Sequence, residues 1–319
     1  MQFEEKLDVI EEDIAQYSRE LLDILLKDRT TNKNIIWATN DYSSYGALYQ
    51  ATEQIDANLI TGIYSKIIQP RVAKAHEQKN NRTRDKAEVF TPSWICNAQN
   101  NLVDERWFGR PDVFNVEKNN TWTATERVIF PEDSQHTWKN YVDARRIEVS
   151  CGEAPYLVSR YDTVTGDPIE LLSRIGLLDR KLRVVSENAL DEKEWLKWAY
   201  RAYESVYGFE FQGDNLLLAR ENLLYTFIDY MRYALKRTPT LDELKKVATI
   251  ISWNLWQMDG LTYGPPFCDI QEEVNQISMF DLMVEEPLIV QKPAQSRCKI
   301  KDWRAKVNVE YYSLVKGEL

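Results

Sequence analysis

Leu7, Ile10, Ile14, Leu21, Leu22 and Leu25 recur at helical spacing between carboxylates, which predicts a helix over 4–27. A second apolar stripe, Leu48, Ile55, Leu59, Ile63 and Ile67, predicts a helix over about 45–76, broken near Pro70. From Arg71 to Lys86 the chain turns polar and basic, which reads as a solvated loop or a phosphate-contacting one. Beyond it the period shortens. Runs at 125–130, 145–150, 207–212 and 248–255 predict strands, with helices over 193–205, 214–236 and 240–247. Strands alternating with helices predict a parallel, doubly wound α/β sheet behind an N-terminal helical extension. The tail from Cys268 to Leu319 is less regular.

Composition narrows the function classes. A chain of 319 residues, 44% hydrophobic and 28% charged, can bury a full core. Its mean hydropathy is −0.49. It lacks an apolar run of the ~20 residues needed to cross a bilayer, and the acidic start over residues 1–13 does not resemble a signal peptide. Four scattered cysteines (Cys96, Cys151, Cys268, Cys298) and two histidines argue against a zinc site or a disulfide framework and fit a reducing cytoplasm. The net charge of −10 weighs against a chain that grips DNA alone, because phosphate contacts need Lys and Arg. Nucleic-acid contact is expected from a local patch or from another subunit.

Four segments carry candidate chemistry. In Arg146–Leu157 a strand ends in the turn Ser150-Cys151-Gly152, where a glycine lets a ligand approach the backbone at the carboxyl end of a sheet; a lone glycine also serves in any ordinary turn. In Val206–Asn215 a second strand ends at Glu210. An acid there holds ribose hydroxyls in nucleotide-binding sheets, while Asp214, or alternatively Asn215, reads as the cap of the next helix. A third apolar run, from Ile250, ends at Asp259-Gly260. Upstream, Thr91-Pro92 reads as a helix start, with Thr91 as cap and Pro92 in the first turn.

In this order and spacing the four segments resemble the N6-adenine DNA methyltransferases of type I modification subunits and single-chain restriction-modification enzymes. Glu88-Val-Phe-Thr-Pro92 is similar to their Phe/Tyr-Thr-Pro motif, Glu148-Val-Ser-Cys-Gly-Glu-Ala154 to Asp-Pro-Ala-Cys-Gly-Ser-Gly, and Gly208-Phe-Glu210 with Ala219-Arg-Glu-Asn-Leu223 to the ribose-acid strand and its helix. Trp256-Gln-Met-Asp259-Gly-Leu261 is similar to Ile-x-x-Gly-Asp-x-Leu. The resemblance covers 87–262. It implies a Rossmann-like methyltransferase domain over 87–267, after a helical region over 1–86 and before a tail over 268–319. It also implies S-adenosylmethionine (SAM) as cofactor. Phe90, Thr91 and Pro92 would cover its methionine end, Glu148, Cys151 and Gly152 would form the turn, Glu210 would hold the ribose, and Asp259 would approach the adenine.

Two departures qualify that implication. Glu148 and Glu210 are separated by 62 positions, where a compact unit spaces turn and acid by ~20 residues, so 159–195 is expected to be an insertion. The family's Asn-Pro-Pro-Tyr loop, which receives the target base, has as its nearest counterpart Tyr263-Gly-Pro-Pro-Phe267. There Gly264 replaces the Asn, which leaves Pro265, Pro266 and Phe267 as weak catalytic candidates. A partner chain is therefore expected to supply the catalytic loop and DNA recognition. A degenerate methyltransferase serving as an interaction or regulatory protein, for instance in phage–host restriction conflict, is the alternative, and an unrelated nucleotide-binding α/β protein a third. Among other candidates, His76 and His136 lack a nucleophile partner. Cys151 is a reactive thiol or a pocket wall, Trp253 and Trp256 are base-stacking or core residues, and Tyr156 and Tyr161 are ambiguous. Phe90, Gly152, Glu210 and Asp259 are expected to meet around one nucleoside-sized cleft.

Overall fold

The computed structural model describes residues 11–73, 91–268 and 297–317. The first apolar stripe forms two helices, α1 (Glu11–Tyr17) and α2 (Arg19–Leu26). They divide at Ser18, whose extended backbone and hydroxyl, accepting from the Leu21 N–H at 3.4 Å, start a new helix where continuity was expected. The predicted helix over 45–76 is absent among the described residues. Single 3₁₀ turns stand there: Ser43–Tyr45, Ala47–Tyr49, Ala57–Leu59, Gly62–Tyr64 and Arg71–Ala73. Gly46 (φ +130°) and Gly62 (φ +65°) hold conformations no α-helix contains, and the stripe residue Ile63 is 91% exposed. The apparent period came from apolar residues spaced by turns. Residues 74–90, most of the basic segment and the Glu88–Phe90 part of the motif, lie outside the described residues.

Helix α3 (Ser93–Phe108) leads to a hairpin, β1 (Asn115–Lys118) and β2 (Thr121–Ala124), joined by Asn119 and Asn120, both left-handed as a two-residue hairpin turn requires. The strand predicted over 125–130 is irregular chain instead. The Val128 N–H there is taken by the Glu187 carboxylate at 2.9 Å rather than by a ladder. After α4 (Trp138–Asp143) come β3 (Arg146–Val149), α5 (Leu177–Asn188), α6 (Glu192–Glu204), β4 (Val206–Glu210), α7 (Gly213–Leu235), α8 (Leu241–Asn254) and β5 (Leu255–Gln257). The strand predicted over 248–255 is thus mostly helix. A Thr240/Glu243 capping box starts α8, and Leu244, Val247, Ala248 and Ile251 bury its inner face at helical spacing, so only three residues remain for β5.

β3, β4 and β5 form a parallel sheet in that order, with Glu148 opposite Gly208 and Glu210 opposite Gln257. β4, the middle strand, is buried at every position, as expected of a parallel strand covered on both faces. On one side the sheet joins a hydrophobic core that runs from Ile14 through α5–α8 to Leu255. On the other, Tyr207, Phe209 and Trp256 pack with Cys298 and Ile300 beneath a hairpin of β6 (Lys299–Asp302) and β7 (Val307–Glu310), followed by α9 (Tyr311–Lys316). Trp256 is 1% exposed and packs, with tilted rings, against Phe209 and Tyr311, which makes it a core residue. Within the expected insertion, α5 is deeply buried. Its Arg180 pairs with Asp104 of α3 at 2.6 Å, and the Tyr141 hydroxyl donates to the same carboxylate. Among the described residues no helix is long and apolar enough to cross a membrane.

Candidate functional site

The carboxyl ends of β3, β4 and β5 open on one cleft of about 940 Å³. The turn after β3 supplies Ser150, Cys151 and Gly152 to its lining, the end of β4 supplies Glu210 and Phe211, and the loop after β5 supplies Asp259 and Leu261. Of the residues singled out from the sequence, Thr91, Glu148, Cys151, Gly152, Glu210, Asp259 and Phe267 all line it. Phe90 lies outside the described residues.

Glu210 ties two of these loops together. Its Oε2 accepts from the Gly152 N–H at 2.8 Å, and its Oε1 accepts from the Gln212 N–H at 3.1 Å. Burial pushes its carboxyl above the ordinary range, against the pull of the N–H groups of Gly152, Gln212 and Phe211. Glu148 braces the same turn from behind. Its two oxygens accept from the N–H groups of Tyr156 at 3.3 Å and Leu157 at 3.1 Å, and burial drives its carboxyl well above the usual value, with the Glu210 charge adding to the effect.

The turn itself is left-handed at three places, Ser150 (φ +51°), Gly152 (φ +54°) and Ala154 (φ +64°). Ala154 stands where the resembled motif has its second glycine, and its backbone adopts a conformation that glycine enters freely and alanine rarely does. Left-handed residues with no Asx or lysine side chain occur at Ala38, Ser150, Ala154, Tyr263 and Phe267. Three of them, Ala38, Ser150 and Phe267, line the cleft. Backbone strain held by its surroundings concentrates where ligands are gripped.

Cys151 is 2% exposed. Burial first, then the charges of Glu148 and Glu210, raises its thiol far above the usual range, which leaves it protonated and makes it a wall rather than a nucleophile. Pro92 does not line the cleft. It occupies the cap position of α3 itself, and the helix start is satisfied by Asp162, whose Oδ2 accepts from the Ser93 N–H at 2.8 Å, rather than by Thr91 as expected. Asp214 likewise is no cap. It sits inside the first turn of α7 and accepts from the Tyr42 hydroxyl at 2.8 Å.

The Gly264–Phe267 stretch divides. Gly264, Pro265 and Pro266 are buried, and the Gly264 carbonyl accepts from the Asp259 N–H at 2.8 Å, closing a tight loop behind the cleft. The two prolines are therefore not brought to the cleft. Phe267 is; it stands 57% exposed at the rim, edge-on to Phe211 at 5.6 Å. Tyr156 also lines the cleft, whereas the Tyr161 hydroxyl donates to buried Glu153 at 2.7 Å. His136 is held by Asp133 at 2.8 Å on the surface, and His76 lies outside the described residues.

Sequence reasoning missed the α3 residues Gln99, Asn100 and Val103 and the wall formed by an N-terminal segment. Ala38, Thr39 and Asn40, from the region expected to be a separate helical extension, line the cleft. The Gln257 amide at the end of β5 grips this segment, accepting from the Ile36 N–H and donating to the Ile36 carbonyl, both at 2.8 Å, and it also donates to the Phe211 carbonyl. The Gly213 N–H donates to the Trp37 carbonyl at 3.0 Å. A Cβ on Gly213 would meet the Ile36 carbonyl oxygen at 2.0 Å, so the close approach requires glycine there.

The chemistry of this arrangement is that of a cleft rich in acceptors. Among the described residues, three carboxylates (Glu148, Glu210, Asp259) and no arginine or lysine line it. It suits a ligand with hydroxyl and amine donors and a cationic centre better than a phosphorylated one. Comparison of the chain with family models, with curated proteins and with solved structures finds no match.

Proposed function

We propose that this chain is the SAM-binding part of an adenine-N6 DNA methyltransferase of a restriction-modification system, built on a Rossmann-like sheet and working in the cytoplasm with a companion chain. The observation that carries the reading is the position of Glu210. Its buried carboxylate ends the middle strand, opens on the same cleft as the left-handed turn after β3, and faces the loop that carries Asp259. The residues fit the cofactor. An ionised carboxylate has about four acceptor sites, so beyond its backbone bonds Glu210 keeps capacity for ribose hydroxyls. Gly152 leaves the turn open for the chain of the ligand, Thr91 and Tyr156 border the end next to Glu148, and Asp259 accepts from a base amine. When bound, SAM supplies an electrophilic methyl group. The protein's own part is to hold that group in line with an incoming amine, a matter of orientation, and to keep water from it.

The companion chain is proposed from the sheet edge. The Arg146 N–H donates to the Ser205 carbonyl, so in a parallel ladder Arg146 and Glu148 face β4 while Ile147 and Val149 turn their backbone groups outward. Ile147 and Val149 are 44% and 63% exposed and line the cleft. A strand from the companion laid along this edge would bring its own loop, of the Asn-Pro-Pro-Tyr kind, to the cleft.

Calorimetry with SAM tests the cofactor reading. Binding is expected, and Glu210→Ala is expected to weaken it about tenfold or more, ~1.4 kcal/mol. Absence of binding, or an unchanged affinity in the variant, refutes it. The acidic net charge and Gly264 in place of an Asn favour a second reading, a degenerate module that binds without transferring. Tritium-methyl transfer to adenine-containing DNA separates the two. Robust incorporation by the lone chain eliminates the module, and incorporation only when the product of a neighbouring reading frame is added supports the split enzyme.

A further inference from the structure

We infer that Asn40, carried into the cleft by the clamped segment Ile36–Asn40, is the donor that reads the base of the bound nucleoside, completing from the N-terminal region a base site whose acceptor is Asp259. The inference rests on the SAM reading above and assigns that site a residue outside the four recognised motifs.

The segment's placement is over-determined. Gln257 holds Ile36 by both backbone groups, and its second donated bond to Phe211 joins the segment to the residue that follows Glu210. Gly213 admits the chain, and the Tyr42 hydroxyl on Asp214 fixes its far side at 2.8 Å. Between these anchors Ala38 is left-handed (φ +51°) and buried, a conformation held at a cost of ~1–2 kcal/mol. Thr39 and Asn40 then line it.

Asn40 is exposed at the cleft, fixed in its backbone and free in its side chain. Its carbonyl accepts from the Ser43 N–H at 3.1 Å and from the Ser43 hydroxyl at 2.7 Å, whereas its amide has no hydrogen-bond partner among the described residues. An adenine edge offers an amine donor beside a ring-nitrogen acceptor, so a complementary site needs one acceptor and one donor. Asp259, with Oδ1 already holding the Leu261 N–H at 2.8 Å, supplies acceptor character only. The Asn40 amide supplies the missing donor.

The test uses the full chain and S-adenosylhomocysteine, whose thioether is neutral, so that an added carboxylate gains nothing from a sulfonium charge. Wild type, Asn40→Ala, Asn40→Asp and Glu210→Ala are titrated calorimetrically. Loss of one neutral hydrogen bond predicts affinity about fivefold to tenfold weaker in Asn40→Ala. Asn40→Asp keeps the shape and removes the donor, setting acceptor against acceptor, and is expected to bind at least threefold more weakly than Asn40→Ala on the same bookkeeping. A wall that acts only by packing predicts the opposite order. Either Asn40 variant within twofold of wild type, or Asp binding better than Ala, overturns this inference while a Glu210-dependent affinity leaves the cofactor reading standing. No binding by wild type, or none that depends on Glu210, overturns both.

Discussion

The Glu210 carboxylate holds the Gly152 N–H at 2.8 Å, which makes the end of one strand and the turn after its neighbour a single mechanical unit. The acid proposed to hold a ligand is also the peg of the neighbouring loop. Glu210→Gln puts an amide N–H₂ against the N–H of either Gly152 or Gln212 and orphans one buried donor. The expected cost is ~1–3 kcal/mol of stability in urea denaturation. Amide exchange at Gly152 should rise more than at residues of α8. A variant as stable as wild type would show that the turn stands without its peg.

Strain in the same turn gives a prediction of opposite sign. Ser150 is exposed and left-handed, so its side chain costs energy and buries nothing. Ser150→Gly is expected to stabilise the chain by up to ~1 kcal/mol, since relief of the left-handed penalty exceeds the added freedom of the unfolded state. The buried Ala154 should gain less, because its Gly variant also loses a packed methyl. Chemical denaturation of the two variants side by side reads the difference.

The elements that could be read from sequence are those whose cause is local. β3 and β4 are short runs with β-branched or aromatic residues that stop at Ser150 and Glu210, and α7 is a long buried helix, each placed to within a residue or two. The strand over 248–255 failed because the β-branched run Thr249-Ile250-Ile251 suits a strand by propensity while the Thr240 capping box and buried face set it in a helix. Six of the eight residues expected to hold the cofactor line one cleft, because strand ends in a parallel sheet share one edge. The 36–40 wall could not be read. What places it is Gln257, 221 positions away, and the bare Cα of Gly213.

Gly213 therefore offers a way to unseat that wall without touching the cleft. Gly213→Ala forces its Cβ against the Ile36 carbonyl, backbone that cannot swing aside as a side chain would. Overpacking of this kind costs ~1–3 kcal/mol. The expected result is a lower denaturation midpoint together with weaker binding of S-adenosylhomocysteine. Unchanged affinity in a folded Gly213→Ala chain would separate the wall from the site.

Asp259 should decide which base is accepted. Its carboxylate matches the amine of adenine and repels the carbonyl oxygen that hypoxanthine carries at the same position. In Asp259→Asn the preference for S-adenosylhomocysteine over its inosine counterpart is expected to fall about tenfold or reverse, in line with ~1–3 kcal/mol per well-formed base contact. Competition calorimetry with both ligands measures the ratio, and a ratio equal to that of wild type removes Asp259 from the base site.

Asp179 supplies a pH dependence of known sign. It lies wholly buried in α5 and accepts from the Ser159 N–H at 2.7 Å. Burial pushes its carboxyl from the ordinary 3.8 up to about 6, although Arg174 and the Ser159 bonds pull the other way. The native carboxyl thus binds its proton more tightly than the unfolded chain does. The contribution is complete below the unfolded value near 4 and is lost as pH rises through about 6. A shift of this size is worth up to ~3 kcal/mol. Asp179→Asn keeps an oxygen for Ser159 and removes the titration, so urea denaturation between pH 4 and pH 7 should fall less steeply in the variant. Some slope remains, because burial raises Glu148 and Glu210 in the same direction. Equal slopes in the two proteins would mean that Asp179 enters the folded state already ionised, with Arg174 outweighing its burial.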